Sequence, residues 1–293
     1  MGRLIKYLAT RCVPARLYLR LVYRRKFGKP ADLRNPATLN EKLLWKKLHG
    51  YEPLHTTITD KYAVREWVAG RIGESYLIPL IATFEGVEEL DLQRLPDSFV
   101  VKVSHGSGQV EIVRDKRAIQ EGQLKTQLRK WMKENHYHLS KELQYRDIKP
   151  RLIVEQLLID ADGRIPMDFK FHCFHGQAEA IQVDIDRFGQ HRRNFYDVDW
   201  KLLPFTWSAW DRGGPMWPNG RVVEKPAGLE EMLAIARTLA KELDYVRVDL
   251  FNCRGKVYFG ELTLHHGGGW ERFDPPDYDL FFGDKLDLKR DTR

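Results

Sequence analysis

The chain has 293 residues, of which 30% are charged, 43% hydrophobic and 12% aromatic, with a mean hydropathy of −0.49. That composition excludes a disordered chain, a collagen-like or low-complexity polymer and a small disulfide scaffold, and the length suffices for one large domain or two smaller ones. The formal charge of +7 is unevenly placed: residues 1–50 hold 13 Lys+Arg against two Asp+Glu, a net of +11, while the remaining 243 hold 35 against 39, a net of −4.

Residues 3–27, RLIKYLATRCVPARLYLRLVYRRKF, set a cation every three to five positions among Leu, Ile, Val, Tyr and Phe, which predicts short amphipathic helices broken near Pro14. Two roles compete for this segment. Its apolar face docks on the body with the cations solvated, or residues 1–30 form a peripheral membrane foot, since each Lys or Arg near an anionic leaflet contributes about 1 kcal/mol. The two are compatible. Nucleic-acid binding is not expected, because no readout module accompanies the basic cluster.

Helical spacing recurs over Asn40–Leu48 and Thr59–Val68, with Asn40 and Thr59 as the predicted N-caps. YLIPLIATF (76–84) and SFVVKVSHGSG (98–108) read as strands, the second running into a Gly-rich turn. GQLKTQLRKWMKE (122–134) is helical, and RLIVEQLLI (151–159) is a buried strand ending in the turn Asp160–Gly163. MDFKFHCF, AEAIQVDI and RNFYDV follow as strands, then the helix GLEEMLAIARTLAKEL (228–243). DYVRVDLFN and KVYFGELTL around Cys253-Arg-Gly255 read as a hairpin. Strands and helices interleave without regular βαβ alternation, so the expected class is α+β.

Cys12, Cys173 and Cys253 stand singly with no C-x-x-C pair, so neither a disulfide framework nor a Cys-rich zinc site is expected, and a reducing compartment fits. No stretch approaches the roughly 18 uninterrupted apolar residues of a spanning helix, and Arg11, Arg16 and Arg20 interrupt any signal-peptide core. The expected location is the cytoplasm, with the basic segment at the inner face of the membrane if the substrates are lipid-linked.

Lys102 lies within the apolar strand FVVKV, where its charge is costly unless an anion neutralises it, and the small residues Ser104 to Gly108 let backbone N–H groups approach phosphate oxygens. The order is neither that of a Walker A loop nor that of a dinucleotide fingerprint, and a plain hairpin turn explains Gly106 and Gly108 equally. Arg247 and Asp249 lie two apart on one strand face, as do Glu261 and Thr263 on the next strand. The turn between them predicts that Asp249 faces Glu261, a pair of hard oxygen donors suited to Mg²⁺; the alternative is a structural ion pair with Arg247. Glu155 ends an apolar strand, and Asp168 and Lys170 form another same-face pair. Asp184-Ile-Asp186 and Asp197-Val-Asp199 each fit the weak D-x-D pattern of metal-dependent glycosyltransferases, a rival reading that leaves Lys102 and the hairpin pairs without a role.

Taken in order, these signals resemble ATP-grasp enzymes. The surrounding text (NEKLLWKKL, TDKYAVREWV, FVVKVSHGSG, KPRLIVEQLL, MDFKFHCF, NFYDVDW, VRVDLFN, KVYFGELT) resembles the TupA-like branch, associated with cell-surface polymer synthesis, from about residue 36 to 285. The resemblance implies two α+β lobes clasping ATP: a basic helical segment over 1–50, an N-terminal region and first lobe over 51–155, a second lobe with the metal site over 156–285, and a tail over 286–293. It implies that Lys61 and Lys102 grip ATP phosphates beneath a mobile flap of Ser104, His105, Gly106, Ser107 and Gly108. Glu155 and the backbone near Leu158 would hold adenine, Asp168 the ribose and Lys170 a phosphate. Asp249 and Glu261 would ligate Mg²⁺, with Thr263 where many relatives carry Asn, and Arg247 would stabilise the acyl phosphate and tetrahedral intermediate. The implied activity joins a carboxylate to an amine; an ATP-grasp kinase of a small hydroxyl compound is the nearer rival. His265 and His266, with Gly267, lie where a substrate loop would run, so either histidine would orient the amine or act as a base, the alternative being a structural or solvent-exposed histidine. Arg193, with Arg187 and Arg192, forms a basic cluster suited to a substrate carboxylate, and a solvated loop explains it equally.

Overall fold

The computed structural model describes residues 10–11, 13–187 and 189–288. The helical reading of residues 3–9 falls outside them. Helices α1 (Ala15–Phe27), α2 (Leu39–His49), α3 (Pro53–Thr59) and α4 (Val64–Ile72) precede strands β1 (Leu80–Phe84), β2 (Phe99–Val103) and β3 (Val110–Val113). Then come α5 (Glu121–Lys133), α6 (His136–Ser140), β4 (Leu152–Glu155), β5 (Asp168–Phe174), β6 (Gln177–Ile185) and β7 (Arg192–Tyr196). Short strands β8 (Thr206–Ser208), β9 (Trp210–Asp211) and β10 (Gly214–Pro215) lead to α7 (Leu229–Ala240), β11 (Tyr245–Cys253), β12 (Lys256–Thr263), β13 (Arg272–Asp274) and α8 (Asp277–Asp284). No helix among the described residues is long and apolar enough to cross a membrane.

The chain divides into two compact units, one formed by Glu52–Pro166 with residues 10 and 11, the other by 13–51 and 167–288. The chain passes from one unit to the other at 51/52 and again at 166/167, beyond the turn at 160–163, and the N-terminal basic helix belongs to the second unit. The described strands form four sheets, all antiparallel, in keeping with an α+β chain.

In the first unit the strand order is β1-β4-β2-β3. Alternation along β2 turns Phe99, Val101 and Val103 into an apolar core with Leu152 and Val154 of β4, and α5 closes it with Leu124 and Leu128, four residues apart on one helix face. Two predicted elements differ. Helix Thr59–Val68 is broken: α3 ends at Thr59, and the Asp60 carboxylate accepts the Tyr62 N–H at 2.8 Å, forming an Asx turn before α4. Strand 76–84 begins only at Leu80, beyond Pro79, which lacks an N–H for the ladder.

In the second unit the order is β12-β11-β5-β6-β7. Phe169, Phe171, Ile181, Val183, Val246 and Val248 are buried hydrophobic residues at alternate positions of the central strands, and α7 contributes Leu229, Met232, Leu233, Ala236 and Leu239 at helical spacing. An aromatic cluster of Phe174, Phe195, Phe205, Trp207, Tyr245, Phe273 and Phe282 joins Leu39 and Leu43 of α2 to α8. Helix α2 starts one residue before the predicted Asn40, capped by Thr38: its hydroxyl accepts the Glu41 N–H at 3.3 Å, and the Glu41 carboxylate accepts the Thr38 N–H at 3.3 Å. Asn40 instead makes tertiary bonds, its N–H to Asp279 and its side-chain amide to the Glu271 carbonyl, each at 2.9 Å.

Candidate active site

In the first unit, Glu155 is the last residue of β4 and is buried between two cations. Lys102 Nζ lies 2.6 Å from Oε2, and Arg65 Nη1 donates to Oε1 at 3.0 Å. Val100 faces Glu155 across the ladder, so Lys102 is its diagonal neighbour on the same side. Arg65 also donates to the Ile78 carbonyl at 2.9 Å. The sequence reading assigned Lys102 and Glu155 to different parts of a nucleotide; here they neutralise each other, and Arg65 is an added member. Its only signal was a place in α4 beside Val64 and Val68, the two buried residues of that helix.

Lys61 is stitched to the loop after β2: its N–H donates to the Ser104 carbonyl at 3.2 Å and its ammonium to the Gly106 carbonyl at 2.6 Å. Ser104 Oγ donates to the Lys149 carbonyl at 3.1 Å. Ser104, His105 and Gly106 are buried, and only Ser107 and Gly108, the latter with φ +70°, form an exposed tip. Burial lowers the His105 pKa, so its ring is neutral. A Cβ on Gly106 would come within 1.8 Å of Gln109 Oε1 and 2.7 Å of Val103 Cγ2, so any larger residue must displace the Gln109 side chain and press on Val103. Leu158 is buried just beyond β4.

In the second unit, the hairpin brings the two pairs together as expected, and its register sets Asp249 opposite Glu261 and Arg247 opposite Thr263. On its other side β11 pairs with β5, where Asp249 faces Lys170 and Arg247 faces His172. A bulge at Gly260 sets this arrangement. It lets Phe259 pair with Leu250 and Leu262 with Val248, both apolar positions, while Glu261 stays beside Asp249.

Arg247 is the hub. Its Nε and Nη2 grip the two oxygens of Asp249 at 2.7 Å each, Nη2 also reaches Glu261 Oε1 at 3.1 Å, and Nη1 donates to His266 Nδ1 at 2.8 Å. Burial works against the guanidinium charge, but Asp249 and Glu261 outweigh it and keep it protonated. Burial pushes Asp249 up to about 6 despite Arg247 and Lys170. Thr263 Oγ1 donates to Glu261 at 3.3 Å. Among the described residues no cluster of three or more His, Cys, Asp or Glu forms a metal cage. Two carboxylates and a hydroxyl, all oxygen donors, fit Mg²⁺, which takes one or two carboxylates with phosphate oxygens and water; they do not fit structural zinc.

The polar face continues as an ion chain. Lys170 contacts Asp168 and lies 2.9 Å from Asp184; Arg187 donates to Asp168 at 3.0 Å. Arg193 donates to Asp184 at 2.8 Å, to Glu271 at 2.9 Å and to the Trp207 carbonyl at 3.1 Å. Glu271 in turn lies 3.0 Å from His266 Nε2. Because a guanidinium only donates, His266 Nδ1 must be the unprotonated nitrogen facing Arg247, and Nε2–H faces Glu271. Burial pushes His266 down to about 4, and His266 and Arg193 bring Glu271 down to about 2 against the effect of burial. His266 is therefore a neutral brace between Glu271 and Arg247. Arg193 is likewise committed to Asp184 and Glu271, so it is a brace and not an open carboxylate receptor. His265 is buried beside them.

Gly267, Gly268 and Gly269 all have positive φ, and a Cβ on Gly267 would meet Glu271 Cγ at 2.4 Å. Lys47 of α2 donates to the Gly268 carbonyl at 2.7 Å and fixes this turn. The D-x-D segments offer no metal site: Asp184 is enclosed by Lys170 and Arg193, Asp186 accepts the Gln190 N–H at 2.7 Å, and Asp197 closes a turn onto the Asp199 and Lys201 N–H groups.

The family described as TupA-like ATPgrasp matches residues 41–287. Among solved structures, D-alanine–D-alanine ligase from Bacillus anthracis is similar at 18% identity and a TM-score of 0.41 over 71% of this chain and 57% of that one. The same enzyme from Helicobacter pylori is similar at 14% and 0.40, over 80% and 60%. The ATP-grasp ligase PsnB, complexed with a minimal precursor, is similar at 12% and 0.37, over 77% and 60%. The chain spans 57–60% of the length of these three proteins. No curated protein matches the chain.

Proposed function

We propose that this chain, which belongs to the TupA-like ATP-grasp family and has the ATP-grasp fold, is an ATP- and Mg²⁺-dependent ligase that joins a carboxylate to an amine. A substrate carboxylate oxygen attacks the γ-phosphorus of ATP and ADP departs, leaving an acyl phosphate. The amine then attacks the acyl carbon, phosphate leaves, and the amine proton passes to solvent as the amide forms. Bound Mg²⁺ would neutralise the phosphate oxygens between Asp249 and Glu261, with Thr263 as a further oxygen or a water in its place.

The observation that carries this reading is the hairpin register that sets Arg247 and Asp249 against Thr263 and Glu261. Arg247, held charged and aimed by Asp249 and His266, supplies positive charge for the acyl phosphate and the tetrahedral intermediate, a contribution of about 3 kcal/mol or more in a dry site. Lys102 and Lys61 are assigned to ATP phosphates, with Lys102 exchanging Glu155 for phosphate. The loop Ser104–Gly108 covers the phosphates through its exposed tip, and Glu155 and the Leu158 backbone take adenine. Asp168 takes the ribose and Lys170 a phosphate. His265 and Gly267 line the amine side. The donor is a sugar acid or amino acid and the acceptor an amine of a surface polysaccharide or peptide polymer, as the resemblance to the TupA-like branch implies.

Purified protein incubated with ATP, Mg²⁺ and a panel of uronic acids, amino acids and amines is expected to release ADP and phosphate in equal amounts. Transfer from a UDP-sugar without ATP overturns the ligase reading, and ADP release with a phosphorylated hydroxyl product shows a kinase instead. Glu261→Ala is expected to abolish turnover in a folded protein; full activity refutes the metal assignment.

A further inference from the structure

Helix α1 presents two unlike faces. Leu19 and Tyr23 are wholly buried against Ala31, Leu33 and Leu44 within the second unit, so the helix docks as one of the two sequence readings expects. Every exposed residue of this 13-residue helix is either arginine or leucine: Arg16, Leu17, Arg20, Leu21, Arg24 and Arg25. Leu17 is 51% exposed and Leu21 57%. At about 100° per residue, the two leucines lie at the centre of the outward arc, with Arg20 and Arg24 on one side and Arg25 on the other. No acidic residue occurs in the helix.

We infer that this outward face binds an anionic lipid surface, with α1 lying in the plane of the interface. The charge of the face selects an anionic partner. The leucines distinguish a membrane from other polyanions, because a phosphate backbone has no use for two side chains at the centre of the cationic arc, whereas the boundary between headgroups and acyl chains accepts them. The long arginine stems spread outward to the headgroups from either side of the leucines. Docking through Leu19 and Tyr23 orients the face away from the body that carries the active-site residues of the second unit. The inference goes beyond the ligase reading and stands without it, since the helix contributes none of the residues assigned to chemistry.

The full chain is tested by co-sedimentation with phosphatidylcholine vesicles and with vesicles containing about 30 mol% phosphatidylglycerol. The wild type is expected to favour the anionic vesicles by at least about tenfold, with the preference weakening as salt rises. Each arginine near the surface contributes about a fivefold factor, so Arg20→Glu with Arg24→Glu is expected to lower binding more than about tenfold. Leu17→Ser with Leu21→Ser keeps the charge and is expected to lower it about tenfold. Lys201→Glu, an exposed charge on another element, is expected to change binding less than about twofold. These side chains are exposed, and unchanged far-UV circular dichroism checks that the variants fold. Absence of wild-type binding overturns the inference, as does binding that persists in the double arginine variant. Equal binding to duplex DNA that ignores the leucine substitutions overturns it in favour of a general polyanion site.

Discussion

Gly283→Ala probes the contact that ties the last helix to the start of α2. A Cβ on Gly283 would stand 2.2 Å from the Ala37 carbonyl oxygen and 2.9 Å from the Leu39 nitrogen. Both are backbone atoms at the capped start of α2, so neither can rotate aside, and α8 must retreat by about 1 Å to restore van der Waals separation. That retreat pulls on the Lys42 ammonium, which donates to the Gly283 and Leu286 carbonyls at 2.9 Å each, and on Phe282, stacked on Phe174 and Phe273 in the aromatic cluster. Overpacking alone costs about 1–3 kcal/mol, and losing the Phe282 contacts raises the total toward the 3–5 kcal/mol of a large aromatic truncation. At roughly 2–4 °C per kcal/mol for a chain of this size, the melting temperature is expected to fall by roughly 6–20 °C. Gly70→Ala is the matched control: Gly70 lies in α4 with nothing within 4 Å of its Cβ position. It is expected to stabilise by about 0.5–1 kcal/mol. Thermal unfolding followed by circular dichroism and tryptophan fluorescence reads both. A Gly283→Ala protein melting within about 2 °C of the wild type would refute the steric argument.

Lys102→Met leaves Glu155 with Arg65 alone; it is expected to lower stability by about 1–3 kcal/mol and ATP affinity at least tenfold, read by urea titration and by nucleotide binding. The His266 ring has a folded pKa of about 4 against an ordinary 6.5, so the unfolded chain binds its proton first and stability is lost as pH falls from about 6.5 toward 4. The loss amounts to about 3 kcal/mol. Urea midpoints should fall more steeply over that range for the wild type than for His266→Asn, whose side-chain oxygen replaces the Nδ1 acceptor for Arg247; parallel slopes would sink the assignment. Gly106→Ala must displace Gln109 and press on Val103, and is expected to cost about 1–3 kcal/mol and to weaken ATP binding, whereas unchanged affinity would show that the loop does not approach the nucleotide.

The hairpin was legible because strand alternation has a period of two and the turn at Arg254-Gly255 brings the two strands together, but counting from Cys253 opposite Lys256 sets Asp249 against Gly260, one residue short of Glu261. The bulge at Gly260 supplies the extra residue that brings Glu261 to Asp249 and Thr263 to Arg247, and a lone glycine in a strand is its only trace. Helix boundaries were less legible where a polar side chain had two uses. Asn40 looks like a cap and serves instead as a tertiary hydrogen-bonding residue, while Thr38 caps through a box with Glu41. Asp60 was hidden inside a helical pattern that its own turn interrupts. The brace Glu271–His266–Arg247 was out of reach, because it depends on a left-handed triple-glycine turn that reverses the chain between His266 and Glu271. Arg193 shows the converse: its charge was visible, but the carboxylates that neutralise it come from β6 and from the segment after that turn.

Residues 13–51 pack with 167–288, and Glu52–Pro166 form the other unit, which makes the second unit discontinuous in the chain. The bond from the Asn40 N–H to Asp279 closes across 239 positions. During synthesis from the N-terminus, residues 52–166 therefore emerge and can fold while α2 still waits for its partners in 167–288, α8 among them. The face of α2 that carries Leu39 and Leu43 stays uncovered through that interval. A chain truncated before α8 would retain a complete first unit and leave the second without the helix that anchors its N-terminal half, so premature termination is expected to yield a half-folded, aggregation-prone product and not a smaller working protein.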